Sequence, residues 1–349
     1  MRADRNLQLV ELARQLDLPT HGDCVATLID DAVGRAAGYL QEHPADNLAT
    51  FHRLVANRLG VKVEWLRGQA DLLRLEDKYG RFCPEIRAHL RAEFIFGETE
   101  GITLEGEPDR PGGHRYLAVV NAMGARSPRA YFTSWHEIAH LLVHPADRPF
   151  EAVRRYLPEE QEKDLLEQVV DQIAAQLAFY PKFFEPVLRE GIYKYGGFGF
   201  AAVEYARKVA VPDASLFASV LGSLPFCDRP MLFLNIAPGL KKDEERMLKS
   251  AQQPLGFFQP SFKTQVRATS VIPGRQEHLK LFAIKENMRV PPRSVLTTAF
   301  ESPANIYLVA EEDQCWWETR ASGNLAALPL QVQAMRRGGY VYGLLEAAA

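Results

Sequence analysis

The segment His136-Glu137-Ile138-Ala139-His140 places two histidines four residues apart. On a helix, residues i and i+4 lie on one face, so both imidazoles can reach the same divalent metal ion. Glu137, beside the first histidine, can accept a proton from a metal-bound water. The motif therefore predicts a helix with two metal ligands and a general base, and it requires a third ligand elsewhere in the chain.

A structural role for Glu137 is also open at this point. If Ser134 is the N-cap of the helix, Glu137 falls at the third helical position and the pair fits a capping box. The spacing alone does not separate this interpretation from catalysis, but the flanking histidines favour catalysis.

Composition narrows the class of protein. The chain has 349 residues, a formal net charge of −3 and 47% hydrophobic residues, which is typical of a globular protein with two or three domains. No apolar run is long enough to span a bilayer and the N-terminus lacks a signal-peptide core, so no membrane association is expected. Four cysteines far apart in the sequence read as isolated buried thiols in a reducing compartment, which indicates a cytoplasmic protein.

His144 continues the stripe of the motif and is the first candidate for the third ligand. Eight residues separate it from His136, and at about 1.5 Å rise per residue the two lie roughly 12 Å apart. Ligands of one metal ion must be much closer, so His144 is interpreted as a structural histidine beyond the site or as one that supports a ligand from outside it.

Glu167 is the better candidate. On a helical wheel it shares a face with Asp171, Ala174 and Ala178, whereas the large apolar residues lie on another face. Two acids with two alanines fit a surface that packs closely on another helix and directs carboxylates at a cation. We therefore predict that Glu167 is the third ligand and that Asp171, one turn on, holds the other N–H of a ligand imidazole.

Hydrophobic periodicity divides the rest of the chain into helical and strand-rich parts. Helices are expected over much of residues 1–45, 48–59, 159–180 and 241–252, with a helix, turn and helix over 203–221. Strands are expected at 61–65, 116–120, 129–132, 231–236, 279–284, 305–310 and 340–344. Thr133-Ser134 is expected to cap the helix of the metal motif.

These residues together resemble the ImmA/IrrE family of metallopeptidases over roughly residues 48–181. The resemblance rests on Val119-Val120-Asn121, on Arg129-Ala130-Tyr131-Phe132-Thr133, on His136 to His144 and on the helix that starts at Glu167. The chain departs from the family pattern at Trp135, Ala139 and Val170-Asp171, and none of these departures removes a proposed ligand or the base.

The resemblance implies an α+β protein with a zincin-like metallopeptidase domain that binds zinc through His136, His140 and Glu167 and uses Glu137 as general base. It further implies four segments: an N-terminal helical extension (1–47), the peptidase domain (48–181), a helix-turn-helix-like module (182–225) and a GAF-like sensor domain (226–349). Family members of this layout cleave a helix-turn-helix repressor of the XRE type and induce a DNA-damage or radiation stress response.

The charge of the middle module argues against direct DNA binding. Between Pro181 and Pro225 there are five basic and four acidic residues, and the second expected helix, 214–221, has no side chain suited to read a base edge. A packing or substrate-docking role is favoured.

The C-terminal domain shows no cofactor motif, so its small-molecule or signal ligand is unknown, and Trp316-Trp317 is either core or a binding surface.

Two alternatives remain open. The chain could be a regulator that uses a peptidase-like fold as a scaffold for DNA or protein without cleavage. Alternatively, the same ligands could hold manganese, because two histidines and one glutamate accept either ion.

Overall fold

The computed structural model describes residues 2–80, 90–94, 99–105, 114–144, 151–155, 164–241, 243–244, 246–247, 263–319 and 323–348. The fold is mixed α+β, as expected, with one four-stranded sheet, one five-stranded sheet and a two-stranded ribbon. The glycine- and proline-rich loop 106–113 and most of the expected helix 241–252 lie outside the described residues.

Contacts divide the chain into two compact units. The first contains residues 1–189 and 205–222, and the second contains residues 190–204 and 223–349. The helical segment after Pro181 is thus shared between the two units, and the finer division into four segments stays a prediction.

The first unit begins with three helices: α1 (Arg2–Gln15), α2 (Cys24–Glu42) and α3 (Leu48–Arg58). The side chain of Asp23 caps α2, and Asn47 forms a capping box with Thr50 at the start of α3. Gly60, at φ +67°, turns the chain after α3. The expectation of helices over residues 1–45 is confirmed.

The sheet of the first unit has the order β1-β3-β2-β4. Its strands are β1 (Val61–Leu66), β2 (Thr99–Glu105), β3 (Tyr116–Asn121) and β4 (Glu151–Arg155). β1 and β3 are parallel, whereas β2 runs antiparallel to β3 and β4. One face packs on α4 (Gln69–Gly80) through a core that includes Leu75, Ile102 and Val119. The sequence predicted β1 and β3 but not β2 or β4.

The helix of the metal motif, α5 (Ser127–Leu142), packs on the opposite face of this sheet, against β2 and β3. It begins two turns earlier than expected, so the predicted strand Arg129–Phe132 and the cap at Thr133-Ser134 are both wrong. Pro128 lies in the first turn, where its fixed φ favours a helix start. Ser134 instead donates a hydrogen bond to the carbonyl of Tyr131 inside the helix, at 2.7 Å.

Among the described residues, four helices follow α5 before the second sheet begins: α6 (Leu165–Ala178), α7 (Pro181–Tyr195), α8 (Phe200–Ala210) and α9 (Leu216–Ser223). α6 packs between α5 and α2, and its N-terminal neighbours 156–163 lie outside the described residues. α8 and α9 are the helices expected over 203–221. None of the eight residues of α9 is exposed, so this helix is a packing element.

The second unit is built on the sheet β6-β5-β11-β10-β7, in which each neighbouring pair is antiparallel. Its strands are β5 (Met231–Gly239), β6 (Gln265–Pro273), β7 (Ile306–Asp313), β10 (Pro329–Arg337) and β11 (Tyr340–Ala347), with the ribbon β8 (Glu318–Thr319) and β9 (Gly323–Asn324) before β10. The helix α10 (Val295–Glu301) covers one face, and Leu296 lies fully buried in that core.

The predicted strand 279–284 is wrong. Residues Gln276–Lys280 form a 3-10 turn, and the amides of Leu281 and Phe282 both donate to the carbonyl of His278. The apolar pattern that suggested a strand arises because Phe282 and Ile284 are buried in the core. The two adjacent tryptophans have different environments. Trp317 is buried in the same core, whereas the guanidinium of Arg293 lies 4.0 Å over the ring of Trp316.

The described cysteines are free thiols, as expected, but only Cys227 is buried; Cys24 and Cys315 are partly exposed, and Cys83 lies outside the described residues. Within the described part of the chain, no helix combines the length and apolar character needed to cross a membrane.

The packing of the first unit leaves no room for a side chain at Gly222 in α9. A β-carbon at this position would overlap the ring of Phe179, which is itself buried after α6. We expect Gly222→Ala to lower the free energy of unfolding by about 1–3 kcal/mol, because the ring has little room to move. Urea unfolding of the whole chain measures this.

Gly34→Ala is the matched control, since Gly34 is an exposed helical glycine and a β-carbon there meets no atom within 4 Å. It should raise stability by roughly 0.5–1 kcal/mol through the lower entropy of the unfolded chain. Equal effects of the two substitutions would contradict the packing argument.

Candidate metal centre

α5 places His136 and His140 on one buried face. The residues are 1% and 7% exposed, and their rings meet edge to face with centroids 4.7 Å apart. Their Nε2 atoms lie 3.0 Å from each other. The i, i+4 spacing thus brings both lone-pair positions to one point, as the sequence predicted.

α6 brings Glu167 to the same point. Its Oε2 lies 3.3 Å from Nε2 of His136, and its Oε1 lies 3.3 Å from Nε2 of His140. Ala174 and Ala178 are fully buried on α6, and the hydroxyl of Tyr131 on α5 donates to the carbonyl of Ala178 at 2.7 Å. Small side chains and this hydrogen bond allow the two helices to approach closely.

The donor set fits a divalent metal ion. Within the described residues, His136, His140 and Glu167 are the one group of three His, Cys, Asp or Glu side chains whose ligand atoms converge, all within 4.8 Å of one another. Ligand atoms at about 2.0–2.1 Å from a tetrahedral zinc ion are about 3.3 Å apart. The observed separations of 3.0, 3.3 and 3.3 Å match that geometry. His144 is not in this group.

Asp171 lies one turn after Glu167 and accepts a hydrogen bond from Nδ1 of His136 at 2.9 Å. A carboxylate at this atom keeps the proton on Nδ1 and leaves the lone pair of Nε2 directed at the other ligands. The contact predicted for Asp171 from the helical wheel is therefore present.

Glu137 is fully buried between α5 and the sheet. Its Oε2 accepts a hydrogen bond from the hydroxyl of Thr103 on β2, at 2.7 Å. The capping-box interpretation is excluded, because Ser134 lies inside α5 and does not cap it. Glu137 is thus a buried carboxylate that directly follows His136 in the chain and is held from β2.

Sequence reasoning missed two kinds of contact at the site. Thr103 and Gly101 of β2 face Glu137. The alternation of these smaller residues with the apolar Ile102 and Leu104 was the only sequence signal for this strand. Arg35 of α2 donates to the carbonyl of Leu142, at the C-terminal end of α5. The N-terminal extension, whose role the sequence did not indicate, thus satisfies an end of the motif helix.

No protein-family model matches the chain, and no curated protein matches it. Membership of the ImmA/IrrE family therefore stays a hypothesis that rests on the sequence motifs.

Trp135, which precedes His136 in the chain, packs against α3. Its ring lies 5.5 Å from that of Phe51 and 4.7 Å from that of His52, measured between centroids. Burial lowers the pKa of His52 to about 4, although its hydrogen bond to the backbone of Ser134 acts in the opposite direction. The Nε2 atom of His52 is buried without a hydrogen-bond partner among the described residues.

This histidine should make the fold acid-sensitive. Its pKa is lower in the folded chain, about 4, than the ordinary 6.5, so the unfolded chain binds the proton first as pH falls. The free energy of unfolding should be highest above pH 6.5. Between pH 6.5 and 4 it should decrease by up to about 3 kcal/mol because of His52. Urea unfolding of the metal-free chain at pH 7 and pH 5 measures the slope.

His52→Phe, which cannot titrate, should flatten the slope, and the comparison cancels the other groups that titrate in this range. An identical pH dependence in the two proteins would show that His52 is not the cause.

Proposed function

We propose that the chain is a zinc-dependent, site-specific endopeptidase of the ImmA/IrrE type, and that its substrate is an XRE-type helix-turn-helix repressor whose cleavage induces a DNA-damage or radiation stress response. One observation supports the chemistry: the ligand atoms of His136, His140 and Glu167 converge with the spacing of a zinc site, and the buried carboxylate Glu137 follows the first of these residues in the chain. The repressor as substrate rests on the sequence resemblance.

His136, His140 and Glu167 would hold the metal, with Asp171 fixing the tautomer of the first histidine. A bound zinc ion would supply a Lewis acid for the scissile carbonyl and would lower the pKa of an attacking water. Glu137 would accept the proton of that water and transfer it to the leaving amine. Among the described residues three side chains converge, and three protein ligands leave one tetrahedral position open for water, which supports a catalytic site over a structural one.

Arg129–Phe132 is helical and not a strand, so it cannot pair with an extended substrate, and another edge of the sheet must do so. β4 is the outer strand on one side of the sheet, and it pairs with β2 through Gly101↔Arg154 and Thr103↔Ala152. These β2 residues are the ones that face Glu137. We infer that the outer edge of β4 receives the substrate segment by β-strand addition.

Several features support a protein rather than DNA as the target. α9 has no exposed residue with which to enter a groove, and the net charge over 181–225 is only +1 (five basic minus four acidic residues).

For the second unit we propose a GAF-like sensor of a small molecule or signal; its antiparallel sheet, with the first and last strands as neighbours, supports that fold.

The test is incubation of the full chain, loaded with zinc, with a panel of purified XRE-type repressors. We expect one repressor to be cut at one position, with cleavage lost after treatment with a chelator and restored by zinc. A parallel sample with manganese decides between the two metals. Absence of cleavage with either metal would exclude the peptidase and favour the scaffold alternative.

A further inference from the structure

The side chain of Glu137 is held by strand β2, and not only by its own helix. The hydroxyl of Thr103 donates to Oε2 of Glu137 at 2.7 Å, and both residues are fully buried. A hydrogen bond to an ionised group in a buried setting is stronger than one between neutral groups. One of the two carboxylate oxygens is thereby oriented by a residue that is 34 positions away in the sequence.

Gly101 leaves room for the other carboxylate oxygen of Glu137. A β-carbon at position 101 would lie 2.6 Å from Oε1 of Glu137 and 2.7 Å from the Cγ2 methyl of Thr133 on the same helix. The carboxylate therefore occupies the space that any side chain at this position would fill. Gly101 and Thr103 are two residues apart on one strand and so face the same side of the sheet.

From these two contacts we propose that β2 is the platform that positions the general base, with Thr103 as a positioning residue that acts through Glu137. The inference rests on the proposed peptidase function. The Thr103 hydroxyl orients the carboxylate, and the missing side chain at Gly101 lets the carboxylate approach the strand. Neither residue belongs to the ligand group, so metal binding should not depend on them.

Three full-length variants test this: Thr103→Val, which removes the hydroxyl and keeps the shape; Thr103→Ser, which restores the hydroxyl; and Gly101→Ala, which displaces the carboxylate. The probe is acetohydroxamate, a small zinc-binding acid that also donates a hydrogen bond to a carboxylate beside the metal. Its dissociation constant from the zinc-loaded chain reports on the position of Glu137 without a substrate. Zinc affinity is measured beside it.

We expect Thr103→Val to weaken acetohydroxamate binding by about 10-fold, the loss of one hydrogen bond to a charged group. The acetohydroxamate dissociation constant of Thr103→Ser should stay within about twofold of the wild-type value. Gly101→Ala should weaken acetohydroxamate binding at least as much as Thr103→Val does. Zinc affinity should be unchanged in all three. With a cleaved repressor, Thr103→Val should lower kcat and leave KM unchanged, because Glu137 acts in the chemical step.

Wild-type acetohydroxamate affinity in Thr103→Val, or equal losses in Thr103→Val and Thr103→Ser, would overturn the inference. The first result would show that the hydroxyl does not position the base, and the second that only packing at this position matters. A wild-type chain that binds zinc and acetohydroxamate but cuts no repressor would instead remove the proposed function and leave the role of β2 intact.

Discussion

Glu137→Gln should lower kcat for repressor cleavage by about 10²- to 10⁴-fold, the range that general-base catalysis contributes. The amide has nearly the same shape as the carboxylate, and its oxygen can still accept from Thr103, so the packing between α5 and β2 should persist. Zinc affinity should also persist, because Glu137 is not one of the converging ligands. The assay compares single-turnover cleavage and zinc content of the two proteins.

Glu105→Gln, at the end of β2, is the matched control. It removes the same charge from a residue that pairs with Arg115 at 2.8 Å and lies outside the ligand group. This variant should cleave at the wild-type rate. In cells, Glu137→Gln should also abolish the stress response; a retained response would favour the scaffold alternative, since a scaffold needs no base.

The second large effect is expected from Glu167→Ala. This substitution removes one of three proposed ligands, so zinc affinity should fall by more than about 100-fold, the upper range for loss of a residue that only orients a ligand. The side chain is 36% exposed, so its truncation should leave the metal-free fold almost unchanged. Competition with a chromogenic chelator measures the affinity.

Thermal unfolding gives an independent measurement of the same prediction. A ligand that binds only the folded chain raises its stability in proportion to the logarithm of concentration over Kd. Zinc should therefore raise the Tm of the wild type and of Gln172→Ala, an exposed neighbour on α6, but not that of Glu167→Ala. A zinc-dependent Tm rise of wild-type size in Glu167→Ala would show that the third ligand is another residue.

The faces of single helices were predictable because helical periodicity is a local property. Four-residue spacing placed His136 with His140, and the wheel placed Glu167 with Asp171. The rejection of His144 needed only the rise per residue. These steps succeeded without knowledge of the sheet.

The start of α5 was not predictable in the same way. Arg129-Ala130-Tyr131-Phe132 contains two aromatic residues, which are common in strands, and the expected cap Ser134 precedes the motif. In the folded chain, the surface of Ala130 and Thr133 is buried and the hydroxyl of Tyr131 reaches Ala178, so tertiary contacts stabilise two additional helical turns. Local propensity was weaker than this packing.

The sequence by itself determined which residues are candidates for metal ligands and for a general base, because side-chain chemistry and helical spacing depend on neighbours within a few positions. Only the tertiary structure decided that α6 brings Glu167 to 3.3 Å from both histidines and that β2 holds Glu137 through Thr103 and Gly101. Such contacts join residues about 30 positions apart, and they form only when buried surfaces of a sheet and two helices pack together. No pattern within one segment contains that information.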